Sequence, residues 1–361
     1  LVRHEDTEWG RITRVHPFPT DKANIPARAL AFGGFTALAA MAGLASRFRP
    51  DAVLAMSPPL TLGAAGWLVA RRHRVPFVFN IQDVFPDVAV EVGAITNRRV
   101  IAAASWLERE TYLRADAVTV LSDDLADNVA TKIAGRRGSA GRRDKVRVIP
   151  NFIDTDWIRP GPKENAYRRE HGLEGKTVVM YAGNVGFSQS LDLVLAAAAH
   201  LADDPQVAFV INGGGSARPG LERAAAGLPN VHFADMAPKA RLPEVVASAD
   251  LHVVPLRSGL ARSSVPSKLY TILAAGRPVV ASVDAGTEVA RTVEAAGAGV
   301  AVPPDDPEAF TKAIERLIGA PDEAAAMGAA GRRFVEGWAS PGAVAEAYER
   351  LFHELVVARR G

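Results

Sequence analysis

A lysine at the start of a short apolar helix is a cation placed where cations are disfavoured. In the stretch SSVPSKLYTILAAGRPVVAS, residues 263–282, Ser264 can cap a helix, Pro266 suits its first turn and Gly276 can take the left-handed position that ends it. Lys268 then falls in the first turn, where backbone N–H groups are unpaired and the helix dipole is positive. An anion close by resolves that conflict. A diphosphate would be served by the N–H groups and the ammonium together, with Arg262 just upstream as a second cation. A solvated surface lysine is the alternative reading of the same residues.

Three further groups could do chemistry. Two glycine clusters, GNVGFSQS from Gly183 and GGGSARPG from Gly213, each follow a β-rich run and offer either backbone N–H groups to a ligand or a tight turn that only glycine makes. Asp83 ends the run PFVFNIQD, where a carboxylate could orient an acceptor or take its proton; capping the loop DVFPD is its structural alternative.

The elements that must position these residues alternate. Residues 51–57, 76–83, 116–122 and 145–151 read as strands in the first half, with helices near 61–73, 97–114 and 123–134. In the second half the strands are 177–184, 207–215, 231–236, 251–257, 278–283 and 299–304. Near-continuous Val, Ile and Phe marks strands buried on both faces of a parallel sheet. Short connections between strand and helix imply right-handed βαβ units, so the expected fold is α/β, two Rossmann-like doubly wound parallel-sheet domains facing a cleft. The domains expected are residues 1–155, with a C-terminal helix 340–359 packing back on them, and residues 172–339. Ligands of such sheets bind outside the carboxyl ends of the strands, which is where the glycine clusters fall.

Composition narrows the classes. The chain has 361 residues, 48% hydrophobic and 23% charged, as a packed protein of two domains requires, and no cysteine, which excludes disulfides, thiolate metal sites and cysteine nucleophiles. Residues 1–150 hold 21 Lys and Arg against 15 Asp and Glu, a net +6, whereas the remainder carries 21 against 25, a net −4. The basic first half, with RRHR at 71–74 and RRGSAGRR at 136–143, is therefore expected to meet anionic surfaces such as lipid, or to be an ordinary solvated face. The apolar run 29–45 is short for a bilayer span and reads as a buried or membrane-surface helix. No signal peptide opens the chain, and a cytoplasmic location is expected. A dinucleotide fingerprint fails because Arg218 stands at the third glycine position, and a P-loop fails because Glu170 stands where the first glycine belongs. SDD at 122–124 and PDD at 304–306 read as helix caps rather than cation ligands, and no histidine spacing suggests a metal.

The runs VPSKLYTILAAGRPVV, IPNFID, YAGNVGFSQSLDLVLAAA, SADLHVVPL and AGAGVAVPPDDPEAF resemble the retaining GT-B glycosyltransferases of family 4. The closest likeness is to the exopolysaccharide and O-antigen branch that includes colanic-acid-type enzymes, where NIQDVFPD and FRPDAVLAMSPPL also have counterparts. The resemblance covers nearly the whole chain and implies that the second domain binds a nucleoside-diphosphate sugar and the first binds the acceptor. Donor contacts expected on this basis are Gly183, Asn184, Gly213, Gly214, Met236, Ser267, Lys268, Thr271 and Glu288; Asp83, Lys268 and Arg262 are the expected catalytic residues. Thr271 stands where the family commonly carries a Glu that holds the ribose, and Ser263 where its partner Glu belongs. Asn184 and Gln189 stand where Arg and Lys are often found, so phosphate charge falls on Lys268 and Arg262. Family members usually begin with a strand and a Gly-rich loop, and a chain opening LVRHEDTEWG is expected to enter after them.

The resemblance implies sugar transfer with retention, without a cofactor or metal, to a polyprenyl-diphosphate-linked or saccharide acceptor, at the inner face of a membrane. No nucleic-acid partner is expected. A nucleotide-sugar epimerase and a non-catalytic sugar-nucleotide-binding subunit are the alternatives that share the fold; a nicotinamide dehydrogenase is disfavoured by the missing fingerprint.

Overall fold

The computed structural model describes residues 2–16, 25–87, 90, 95–134, 143–259 and 268–360. The chain divides into two units, Leu1–Ile149 with Ala347–Gly361, and Pro150–Glu346. Each is built on a parallel sheet flanked by helices, and each of the ten strands expected from the sequence is present.

The first unit opens with an antiparallel hairpin that the sequence reading missed, β1 (Val2–Thr7) and β2 (Gly10–Val15). Both strands are polar on both faces, so they carry no hydrophobic alternation. Their pattern lies across the turn instead: Arg11 pairs with Asp6 at 2.7 Å and Arg14 with Glu5 at 2.9 Å. The apolar run forms the helix Ile25–Ala45, which packs on Leu62–His73 yet leaves Leu30 67% and Met41 57% exposed. Among the described residues no helix is long and apolar enough to cross a membrane.

Behind these lies the sheet β3 (Val53–Ser57), β4 (Phe77–Ile81), β5 (Ala117–Val120) and β6 (Val146–Val148), paired in chain order. Every residue of β4 and β5 is buried, as their Phe, Val and Ile content requires. Asn97 caps the helix Arg98–Arg114 by accepting from the N–H of Arg99 and Val100, and the Ser122 hydroxyl accepts from Leu125 N–H at the start of Asp123–Ala134. The acids of SDD therefore occupy a helix start. Asp87, not Asp83, fastens the loop DVFPD: its carboxylate accepts from Asn128 at 3.1 Å and from Lys132 at 2.9 Å. Lys132 also pairs with the buried Glu108, whose carboxyl is pushed up by desolvation against the pull of that ammonium. From the other end of the chain the Tyr348 hydroxyl accepts from Asn80 Nδ2 at 2.8 Å on β4.

The second unit is one six-stranded parallel sheet: β7 (Thr177–Ala182), β8 (Val207–Asn212), β9 (Val231–Ala234), β10 (Leu251–Pro255), β11 (Val279–Ser282) and β12 (Gly299–Val302). Their order across the sheet is β12-β11-β10-β7-β8-β9, so the winding reverses between β7 and β10. That reversal is the topological switch point, and the segments leaving the carboxyl ends of β7 and β10 must part around it.

Candidate functional site

The segment after β7 starts at Gly183, and its backbone is tied to its neighbour as though the sheet continued. Gly183 N–H donates to Asn212 O, Val185 N–H to Gly214 O and Gly213 N–H to Ala234 O, each at 2.9 Å. Such closeness needs glycine. Gly213 has φ +149°, and a Cβ there would lie 1.9 Å from the carbonyl oxygen of Gly183. Arg218, which spoiled the dinucleotide fingerprint, closes the same arrangement by donating to Gly213 O at 2.8 Å and to Asp235 at 2.6 Å. Gly213 therefore serves the close packing of two loops, whereas a Cβ at Gly214 would meet nothing within 4 Å.

Lys268, the first residue of the helix Lys268–Ala274, comes from beyond β10. It is not a solvated surface lysine. Its half-buried ammonium donates to the Tyr181 hydroxyl at 2.9 Å and to Gln189 Oε1 at 3.0 Å, and lies 4.4 Å from the centre of the Tyr181 ring. Tyr181 in turn donates to Asn184 O at 2.5 Å, so the hydroxyl is oriented with its lone pairs toward the ammonium. Sequence reasoning missed this clamp: Tyr181 looked like one more buried strand residue, and Gln189 like a lost cation. All the partners are neutral. Burial accordingly pulls the Lys268 pKa down from 10.5 to about 8.

A cavity of about 220 Å³ opens beside the ammonium, lined by Gly183, Met236, Lys268 and Thr271 from the expected set, and also by Asn212 and His252. His252 is fully buried, donates from Nε2 to Val246 O at 2.9 Å and has its pKa pushed down to about 4 by burial, so it stays neutral. The other expected residues lie elsewhere. Asn184 contributes its carbonyl to Tyr181, and Glu288 is buried at the start of the helix Glu288–Ala296, where it accepts from Thr292 and pairs with Arg291. Arg262, Ser263, Ser264, Pro266 and Ser267 lie outside the described residues. The chain leading toward them is held by two acids: Asp284 accepts from Gly259 N–H at 2.7 Å and Asp305 from Ser258 N–H at 3.1 Å. Asp306 caps Pro307–Ile318 through Ala309 N–H. Beyond the helix, Gly276 has φ +66° and donates to Leu273 O while Arg277 N–H donates to Ile272 O, the paired bonds of a Schellman end.

Two measurable consequences follow from the clamp. An anionic ligand selects the ammonium form of Lys268 and raises its pKa, so affinity is full below pH 8 and declines as pH rises through about 8. Titration calorimetry at pH 8 in two buffers of different ionisation enthalpy should register about half a proton taken up per diphosphate bound. Substitution Tyr181→Phe removes one acceptor but keeps the ring, and is expected to weaken diphosphate binding about tenfold while moving this pH limb downward. An unmoved limb would deny Tyr181 its positioning role.

In the first unit Asp83 follows β4, half-buried, and desolvation pushes its carboxyl up. Among the described residues it has no hydrogen-bond partner, unlike Asp87 in the same loop. Among those residues, too, no group of three or more His, Asp or Glu is placed to hold a metal ion.

Comparison with known proteins identifies the class to which this pair of sheets belongs. The model of the glycosyl transferases group 1 matches residues 176–320, and that of the glycosyl transferase 4-like domain matches residues 1–151. The chain belongs to the GT-B glycosyltransferases of family 4, in the exopolysaccharide-type branch that its motifs resemble. The Escherichia coli K12 protein WcaI, whose name assigns it to colanic acid biosynthesis as a glycosyl transferase, is 29% identical over 75% of this chain and 67% of its own length. WbjE of Pseudomonas aeruginosa, named as a glycosyltransferase, is 27% identical over 74% of this chain and 66% of its own. The chain thus spans about two thirds of the length of these relatives. Sucrose-phosphate synthase from Thermosynechococcus elongatus has the same fold, with a TM-score of 0.74 at 19% identity, covering 99% of this chain and 86% of that one. Anabaena HepE, solved in complex with UDP, superposes with a TM-score of 0.67 at 16% identity, covering 91% and 83%.

Proposed function

We propose that this glycosyltransferase moves a hexose from a UDP- or GDP-sugar, held in the unit Pro150–Glu346, to a lipid-linked or saccharide acceptor of cell-surface polysaccharide, with retention at the anomeric carbon. The observation that carries the donor assignment is the Lys268 ammonium, clamped by Tyr181 and Gln189, half-buried and without an anionic partner among the described residues. As the glycosidic bond to the diphosphate breaks, charge builds on the leaving phosphate oxygens. A fixed cation and backbone N–H groups in a dry cavity stabilise that charge without reorganising. Lys268, and Arg262 upstream of it, have this role, and no metal is required. The cavity walls from Met236 to Thr271 receive the nucleoside, with the Thr271 hydroxyl on the ribose. The complex of HepE with UDP supports a uridine donor in this fold.

Asp83 receives the acceptor hydroxyl and orients it or takes its proton; a carboxyl raised by burial and lacking a partner suits that work. The basic first half and the exposed apolar side chains of Ile25–Ala45 support peripheral contact with an anionic membrane on the cytoplasmic side, where a polyprenyl-diphosphate acceptor would be met. A thermal-shift panel of UDP, GDP, dTDP, ADP and NAD tests the donor. One nucleoside diphosphate at ~100 times its dissociation constant should stabilise the protein by about 2.7 kcal/mol. Sugar release from the matching donor only when acceptor is added would separate a transferase from an epimerase, and donor binding without any turnover would leave a non-catalytic binding subunit. A panel in which no diphosphate shifts the transition would end the donor assignment.

A further inference from the structure

The sheet of Pro150–Glu346 has a second cavity at its opposite end, of about 460 Å³, against the first residue of β7 (Thr177), the first of β10 (Leu251) and Pro278 just before β11. That volume lies within the range of small-molecule sites. Leu251, Leu317, Ile318 and Ala325 give it an apolar wall, and cationic side chains stand around it. Two of these four cations are already matched. Lys163 pairs with Asp250 at 2.5 Å, and Asp250 also takes Arg168 at 2.5 Å. Arg332 pairs with Glu336 and donates to the carbonyls of Ile158, Ala274 and Thr155.

Two guanidinium groups are not. Arg277 donates through Nε and Nη2 to Ala247 O and through Nη2 to Gly161 O, so its direct partners are neutral carbonyls, and burial pulls its pKa down. Arg333, on the exposed side of the helix Pro321–Trp338, has no hydrogen bond or ion pair among the described residues. An apolar wall faced by Arg333, which has no ion pair among the described residues, and by Arg277, which shares the charge of Asp250 with Lys163 and Arg168, is complementary to a molecule with both characters. We propose that this cavity is a second ligand site, taking an amphiphilic anion: a carboxylate, sulfonate or phosphate on an apolar body. Its occupancy is felt at the first cavity. Arg277 directly follows Gly276 at the end of Lys268–Ala274 and holds the last carbonyl of Leu242–Ala247, and both helices line the cavity of Lys268. A ligand that orders Arg277 therefore orders both helices.

The probe is 8-anilinonaphthalene-1-sulfonate, which carries a sulfonate on an aromatic body and reports binding by fluorescence. Ala325 and Arg333 are exposed, so Ala325→Trp, which fills the cavity, and Arg333→Glu, which reverses a rim charge, should unfold at the wild-type temperature. The expected result is one binding site fewer in Ala325→Trp and about tenfold weaker binding at that site in Arg333→Glu. Amide exchange in Leu242–Ala247 and Lys268–Ala274 should slow on adding the probe to the wild type and not to Ala325→Trp. Equal stoichiometry and affinity in all three proteins would overturn the site. Binding that leaves exchange in both helices unchanged would overturn the link between the cavities. Neither readout uses a nucleotide, so failure here is distinct from failure of the donor assignment.

Discussion

Substitution Lys268→Ala is expected to lower kcat/KM by about 10²–10³ and to abolish the thermal shift given by the nucleoside diphosphate, without unfolding the protein. The magnitude is that of removing one preorganised donor from a developing oxyanion. It is large here because the ammonium has no anionic partner among the described residues, so that its full charge is available to the leaving diphosphate. Stability should change little. The lysine is held at a cost of desolvation, seen in its pKa of about 8, and removing it relieves that cost while losing two hydrogen bonds. Steady-state kinetics with the matched donor, beside the melting temperature of the free protein, checks both parts. A variant that retains wild-type turnover would make the clamp a packing feature alone.

Substitution Gly213→Ala should act in the opposite way, on the fold first and on binding through it. A Cβ at this position falls 1.9 Å from Gly183 O, and φ is +149°, so the backbone must move whatever space is found. Strain of this kind with a backbone clash costs about 3 kcal/mol or more. For a unit of this size the transition should fall by roughly 6–12 °C. The clash is with Gly183, which adjoins both the cavity and Lys268 Nζ, so the nucleotide-induced shift should shrink as well. Gly214→Ala is the matched control, since a Cβ there meets nothing within 4 Å. Calorimetric melting of the two variants separates the readings: equal transitions would mean that the loop yields at no cost.

The parts of this molecule legible in the sequence are those governed by local pattern. Strands buried on both faces, such as PFVFNI and VAFVIN, leave unbroken β-branched and aromatic runs, and the helix stop at Gly276 announces itself by residue type. The hairpin was invisible for the complementary reason: its specificity is in charges paired across a turn, Asp6 with Arg11 and Glu5 with Arg14. The site was legible as a location and not as a mechanism. Lys268 could be singled out because a cation opens a helix, but its partners Tyr181 and Gln189 lie on another segment and meet it only through the crossing at β7 and β10. Glycines misled in a different way. A residue lacking a side chain fits a phosphate or a neighbouring backbone equally well, and only the crowding at Gly213, where a Cβ would fall 1.9 Å from Gly183 O, shows that it packs against backbone.

The hydrogen bond from Asn80 to Tyr348 also has a bearing on the order of synthesis. The first unit includes residues from Ala347 onward, while the whole second unit is encoded between its two parts. On a ribosome adding roughly 5–20 residues each second, β4 and β5 wait about 10–50 s for the helix that brings Tyr348 to them. During that interval Asn80 and Thr119 lack their hydroxyl partner, whereas the intervening unit can complete its sheet. The last hydrogen-bonding partner of the first strands is thus supplied only after the whole intervening unit has been made.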